Sequence, residues 1–125
     1  MSTQQDHEAN TASDAAWDED RTIQRMGGQR ALIEKLVTLF LRDTPVQIGQ
    51  ALNGIEQQDY DVSHIAMHSL KGTSSNFCTK RLESICADLL AALKERNWSR
   101  ASEIHLDLSA EYLELEKQLQ DFLKR

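Results

Sequence analysis

His68, Lys71, Gly72 and Ser75 fall within one octet, His68-Ser69-Leu70-Lys71-Gly72-Thr73-Ser74-Ser75. At helical spacing, residues three and four apart share a face. The octet therefore groups an imidazole, an ammonium about one turn away, a position with no side chain, and a hydroxyl. A neutral imidazole is a nucleophile. Phosphoryl transfer asks little covalent chemistry of a protein; positioning and charge stabilisation dominate it. Lys71 offers a mobile positive charge for phosphoryl oxygens. Gly72 leaves a gap through which a partner's carboxylate can approach His68, and Ser75 adds a hydrogen-bonding hydroxyl. Glycine inside a helix costs about 1 kcal/mol relative to alanine, so its presence asks for a reason.

The elements that must hold this strip are all helical. A short helix is expected from near Trp17, with Ile23 and Met26 inward, ending at Gly27-Gly28. A second runs from about Gln29 to Gln57, with Leu32, Leu36, Leu39, Phe40, Ile48, Leu52 and Ile55 as its stripe. Asp43-Thr44-Pro45 predicts a kink or break there, because proline removes a backbone bond and clashes with the preceding turn. A third helix spans roughly Asp59 to Phe77, with Asp59 as N-cap. Val62, Ala66, Leu70, Thr73 and Phe77 form its predicted inner side; Asp61, His64, His68, Lys71, Gly72 and Ser75 lie opposite. A fourth helix covers about Lys80 to Glu95 and a fifth about Trp98 to Leu123. Both carry leucine-rich stripes at alternating spacings of three and four, with short loops between. The fold class that follows is all-α: an antiparallel four-helix bundle with a short N-terminal capping helix.

Composition agrees. The 125 residues contain one proline and five glycines, which disfavours a turn-rich β fold, and 40% hydrophobic residues, which is enough for one globular core. The net charge of −6 is concentrated at the start. Residues 1–20 hold six acids and no lysine or arginine, leaving 14 acids against 14 bases beyond them. No face gathers the bases, so a nucleic-acid surface is excluded. Residues 1–15 are polar and aperiodic and read as a disordered acidic tail or linker, with residues 16–125 as the helical domain. That composition fits a free-standing protein and a domain excised from the C-terminal end of a longer one equally well. No apolar run reaches the ~18 residues of a membrane span, and no basic-then-apolar leader opens the chain, so the expected setting is cytoplasmic.

Other polar residues carry weaker signals. His64 and His68, four apart, form a candidate metal pair with Asp61, but no second half-site is visible and no metal is expected. His105 borders the inner stripe of the fifth helix and reads as structural, while His7 lies in the tail. Cys78 and Cys86 lack CxxC spacing and read as small apolar fillers.

The octet, preceded by Ala66-Met67, closely resembles the signature of histidine-containing phosphotransfer (HPt) domains of bacterial phosphorelays. Met26-Gly27-Gly28, Phe40-Leu41-Arg42-Asp43-Thr44-Pro45 and Asp59 are similar to the family pattern too, over roughly residues 17–120. The resemblance implies that His68 accepts a phosphoryl group from an aspartyl phosphate of a receiver domain and passes it to another receiver's aspartate. Lys71 would neutralise charge, Gly72 would give access, and Ser75 would supply a hydrogen bond. The implied partners are receiver domains of a hybrid sensor kinase and a response regulator. Magnesium would sit on the receiver, and this chain, a monomer, would need no cofactor. No glycine-rich nucleotide loop is present, so no ATP-dependent kinase activity of its own is expected. Two positions depart from the pattern. Cys78 stands where a glycine is common ten residues after the histidine. Leu90 stands where Glu or Gln often bonds the imidazole, so a water or a residue elsewhere must orient His68. His64, Ile65 and Met67 are the candidate partner contacts, Ile65 and Met67 forming an apolar rim. A helical adaptor that docks a receiver or signalling enzyme without phosphotransfer would use the same rim.

Overall fold

The computed structural model describes residues 15–125, which form five helices and no strand. They are α1 (Glu19–Arg25), α2 (Arg30–Glu56), α3 (Tyr60–Ser75), α4 (Lys80–Lys94) and α5 (Trp98–Lys124). The four long helices pack in a ring, each against its neighbours in sequence, with α2 and α5 closing it. Connections of three or four residues reverse the chain each time, which makes the bundle antiparallel. Apart from Ala15, the tail expected at residues 1–15 lies outside the described residues.

Local signals explain the helix ends. Asp18, Asp59 and Asn97 cap α1, α3 and α5 by accepting from the backbone N–H of Arg21, Val62 and Arg100. α1, α2 and α4 end in the same way, on a left-handed residue: Gly27 (φ 68°), Gln58 (φ 54°) and Arg96 (φ 57°). In each, two backbone N–H groups reach back to the last turn, as Asp59 does to Gly54 at 2.7 Å and Asn97 to Ala92 at 2.9 Å. Cys78, in the α3–α4 connection, is also left-handed (φ 54°), which accounts physically for the glycine common at this position in the resembling family.

α1 caps the end where α2 starts and α5 finishes. Trp17 is buried, stacks edge-on against Phe122 at 5.3 Å and donates its indole N–H to Thr22 Oγ1 at 3.0 Å. The Thr22 hydroxyl in turn lies 2.9 Å from the Phe77 carbonyl, tying α1 to the turn that follows α3. His105 is structural: it is buried in α5, with Nε2 2.9 Å from the Ile48 carbonyl of α2.

Two expectations need correction. Of the kink or break expected at Pro45, the break is absent: α2 runs through it as one helix. Pro45 is exposed, and Phe40, Thr44, Ile48 and Ala51 bury the inner face on both sides of it. Packing on both flanks outweighs the lost backbone bond. The inner stripes of α2 and α3 are also rotated from the predicted ones. Leu32, Leu52, Val62 and Thr73 are exposed, whereas Thr44, Ala51, Gly54, Ser63, Met67 and Ser74 are buried. Gly54 shows why: a Cβ there would stand 2.6 Å from the Ser63 backbone nitrogen. α2 and α3 cross closely, and only small side chains fit at the crossing.

Candidate functional site

α3 carries the chemistry on the side away from the core. His68, Lys71 and Gly72 are exposed and Ser75 is half-buried. Together with Glu83 and Leu90 of α4 they line an open groove of about 310 Å³. The phase of α3 is fixed by Ser63, Ala66, Met67, Leu70 and Ser74, all buried, so the histidine strip has no choice but to face outward. A Cβ on Gly72 would meet nothing within 4 Å, so no packing within this chain requires glycine there. Among the described residues Lys71 forms no salt bridge. The Ser75 hydroxyl donates to the Gly72 carbonyl at 2.9 Å.

Glu83 belongs to the groove and was not singled out from sequence. It lies seven residues before Leu90, so both occupy one face of α4, and that periodicity was a usable signal. The buried Cys86 thiol is pushed up to about 12, first by burial and then by the Glu83 carboxylate, with the Lys71 ammonium opposing. The Glu83 and Lys71 charges of the groove thus act on this thiol in opposite directions.

No described residue hydrogen-bonds to the His68 imidazole, and Leu90, which shares the groove with it, has no polar atom to offer. Its structured neighbour is His64. The two imidazoles stack with centroids 5.8 Å apart and planes 11° from parallel. His64 stacks in turn on Tyr60 at 5.0 Å and 26°. Above Tyr60 lies the Arg96 guanidinium, 3.7 Å from the ring centre.

The expected partner contacts separate. Ile65 is 66% exposed, but Met67 is fully buried and makes no rim beside it, because the inner stripe of α3 runs through Met67 instead of Val62. Val62, 39% exposed, joins Ile65 on the surface. His64 is half-buried with both ring faces covered by its neighbours, so only its edge is open to a partner.

The match to known families settles what scaffold this is. A family model described as the Hpt domain covers residues 35–124. The chain belongs to the Hpt domain family. No curated protein and no solved structure matches it. The matched span begins inside α2 and takes in the rest of the bundle, so α1 and Met26-Gly27-Gly28 lie outside it. Hpt domains are helical bundles that act in phosphorelays, interact with receiver domains and carry no cofactor. Among the described residues of this Hpt domain no group of His, Cys, Asp and Glu could hold a metal ion, the trio of Asp61, His64 and His68 included. No helix among them is long and apolar enough to cross a membrane.

Proposed function

We propose that this Hpt domain is a phosphorelay intermediate whose phosphoryl acceptor is His68. A ring nitrogen attacks the phosphorus of a receiver's aspartyl phosphate. The P–N bond forms, the P–O bond to the aspartate breaks, and the aspartate leaves as a carboxylate. The imidazole proton stays on the other ring nitrogen. The return step, onto the aspartate of a second receiver, runs the same exchange backwards. Lys71 balances the charge on the phosphoryl oxygens. Gly72 gives the incoming carboxylate its path, and Ser75 can turn its hydroxyl from the Gly72 carbonyl to the phosphoryl group. Magnesium belongs to the receiver. Ile65 and Val62 provide an apolar edge for receiver docking. The domain works as a cytoplasmic monomer between the receiver domains of a hybrid sensor kinase and a response regulator.

The observation that carries this reading is the exposed His68 with Lys71 one turn away and open space at Gly72, in one groove. The test is incubation with a receiver labelled on its aspartate. Wild type should take up the label and His68→Gln should not. The label should be lost in acid and kept in alkali, as a phosphoramidate is; an acid-stable label would place the phosphate on a hydroxyl. A docking-only adaptor, which the exposed Ile65 and Val62 would also serve, predicts receiver binding that survives His68→Gln and no labelled species at all.

A further inference from the structure

An exposed imidazole on a helix turns freely between its side-chain rotamers unless something holds it. Here no hydrogen bond from the described residues does so, and Leu90 stands where one would be expected to come from. What the ring has instead is a stack. Tyr60, His64 and His68 are spaced by four, so they line up along one ridge of α3. Their centroid separations of 5.0 and 5.8 Å lie in the range of favourable offset stacking, and the planes stay close to parallel throughout.

The column is anchored at the far end. Tyr60 packs against the core. The Arg96 guanidinium covers it, in the range of a cation–π contact. Arg96 is itself fixed, donating through Nη1 to the Lys94 carbonyl at 3.0 Å. Its backbone is left-handed, a conformation glycine takes more readily, so the residue there is not chosen for the turn. The stack is thus rooted in the turn between α4 and α5 and ends, three rings later, at the groove.

We infer that His64 is a positioning residue for His68: the Arg96–Tyr60–His64–His68 column fixes the plane and rotamer of the acceptor imidazole, so that a ring nitrogen points into the groove. This rests on His68 as the phosphoryl acceptor. The planar ring of His64 does the work, and its nitrogens are not required.

Two measurements on the intact chain test it. The first needs no phosphate: three-bond couplings across χ1 of His68 in the unphosphorylated protein. Wild type and His64→Phe should show one dominant rotamer and His64→Ala an averaged one. The second is single-turnover transfer from a labelled receiver. Releasing the ring spreads it over the two χ1 wells a helix allows and two χ2 wells, so His64→Ala should slow the maximal rate roughly two- to fourfold, with the half-saturating receiver concentration unchanged. His64→Phe should restore the rate. Averaged couplings in wild type overturn the proposal, as does an Ala variant that transfers at the wild-type rate. A His64→Phe variant as slow as His64→Ala overturns it too, since the imidazole nitrogens would then matter. A shift in half-saturation in place of the rate would make His64 a docking contact and overturn it as well. If wild type takes no label at all, the phosphotransfer reading fails, and the couplings still report separately whether the ring is held.

Discussion

At the scale of single residues, two glycines in the same bundle make opposite cases. Gly72 sits mid-helix and a Cβ there would touch nothing. Its cost of about 1 kcal/mol in helix stability has no return inside this chain. Gly72→Ala should therefore raise stability by about 1 kcal/mol in urea unfolding while slowing label uptake from a phosphorylated receiver. A variant that gained stability and transferred normally would remove the case for partner access. The strip His68, Lys71, Gly72 and Ser75 was legible in the sequence because all four lie on one helix, where spacing alone fixes their relation. Glu83 and the ring column were not. Whether Glu83 shares a groove with His68 depends on how α4 is rotated against α3, and whether His64 stacks on His68 depends on rotamers. Spacing puts Glu83 on the face of Leu90 and the three rings on one ridge, but it decides neither contact.

At the scale of elements, Gly54 is the other case. Its missing Cβ would stand 2.6 Å from the Ser63 backbone nitrogen and 2.8 Å from the Ser63 Cβ. Backbone cannot give way as a flexible side chain can, so α2 and α3 must separate to admit a methyl group. Gly54→Ala should destabilise the bundle by about 2 kcal/mol, the usual scale of overpacking, despite alanine's better helix propensity. Urea midpoints checked beside those of Gly72→Ala would show the two identical substitutions moving stability in opposite directions. The same close crossing explains why the inner stripes were misread. Helical spacing from Ala66 and Leu70 favours Val62 and Thr73 for the α3 core. The close crossing instead admits Ser63, whose hydroxyl is satisfied by the Asp59 carbonyl of its own helix at 2.9 Å. Farther along the same stripe Ser74 Oγ lies 3.0 Å from the Lys71 carbonyl. A hydroxyl bonded within its own helix can be buried cheaply, and it is smaller than a valine. Helix number, order and most ends were readable because caps and periodicity are local; the rotation of each helix was not, because it is decided by the neighbour.

At the scale of the whole molecule, stability and site meet behind the groove, at Cys86. Burial favours the neutral thiol, so the folded protein keeps this proton up to about 12, while an unfolded chain releases it near the ordinary value of 9.0. Between those values the unfolded state binds fewer protons than the folded one, so stability falls as pH rises. The contribution is complete below about pH 8 and should shrink by about 1 kcal/mol by pH 10. Tyr112 acts in the same direction, raised by its burial with Glu116 adding, but its ordinary value of 10.0 places its effect mainly higher. The interval from pH 8 to pH 10 therefore reports chiefly on Cys86. Urea unfolding at the two values should show the loss in wild type and a flatter response in Cys86→Ala, whose own midpoint is lower because a cavity replaces the sulfur. Equal losses in both proteins would assign the alkaline weakness to other groups. Because the folded protein keeps this proton throughout the interval, no buried negative charge forms beneath the groove where the phosphoryl group is to arrive. Label uptake by His68 should therefore change no more between pH 8 and pH 10 in wild type than in Cys86→Ala; a larger fall in wild type would mean that the thiol ionises within the fold.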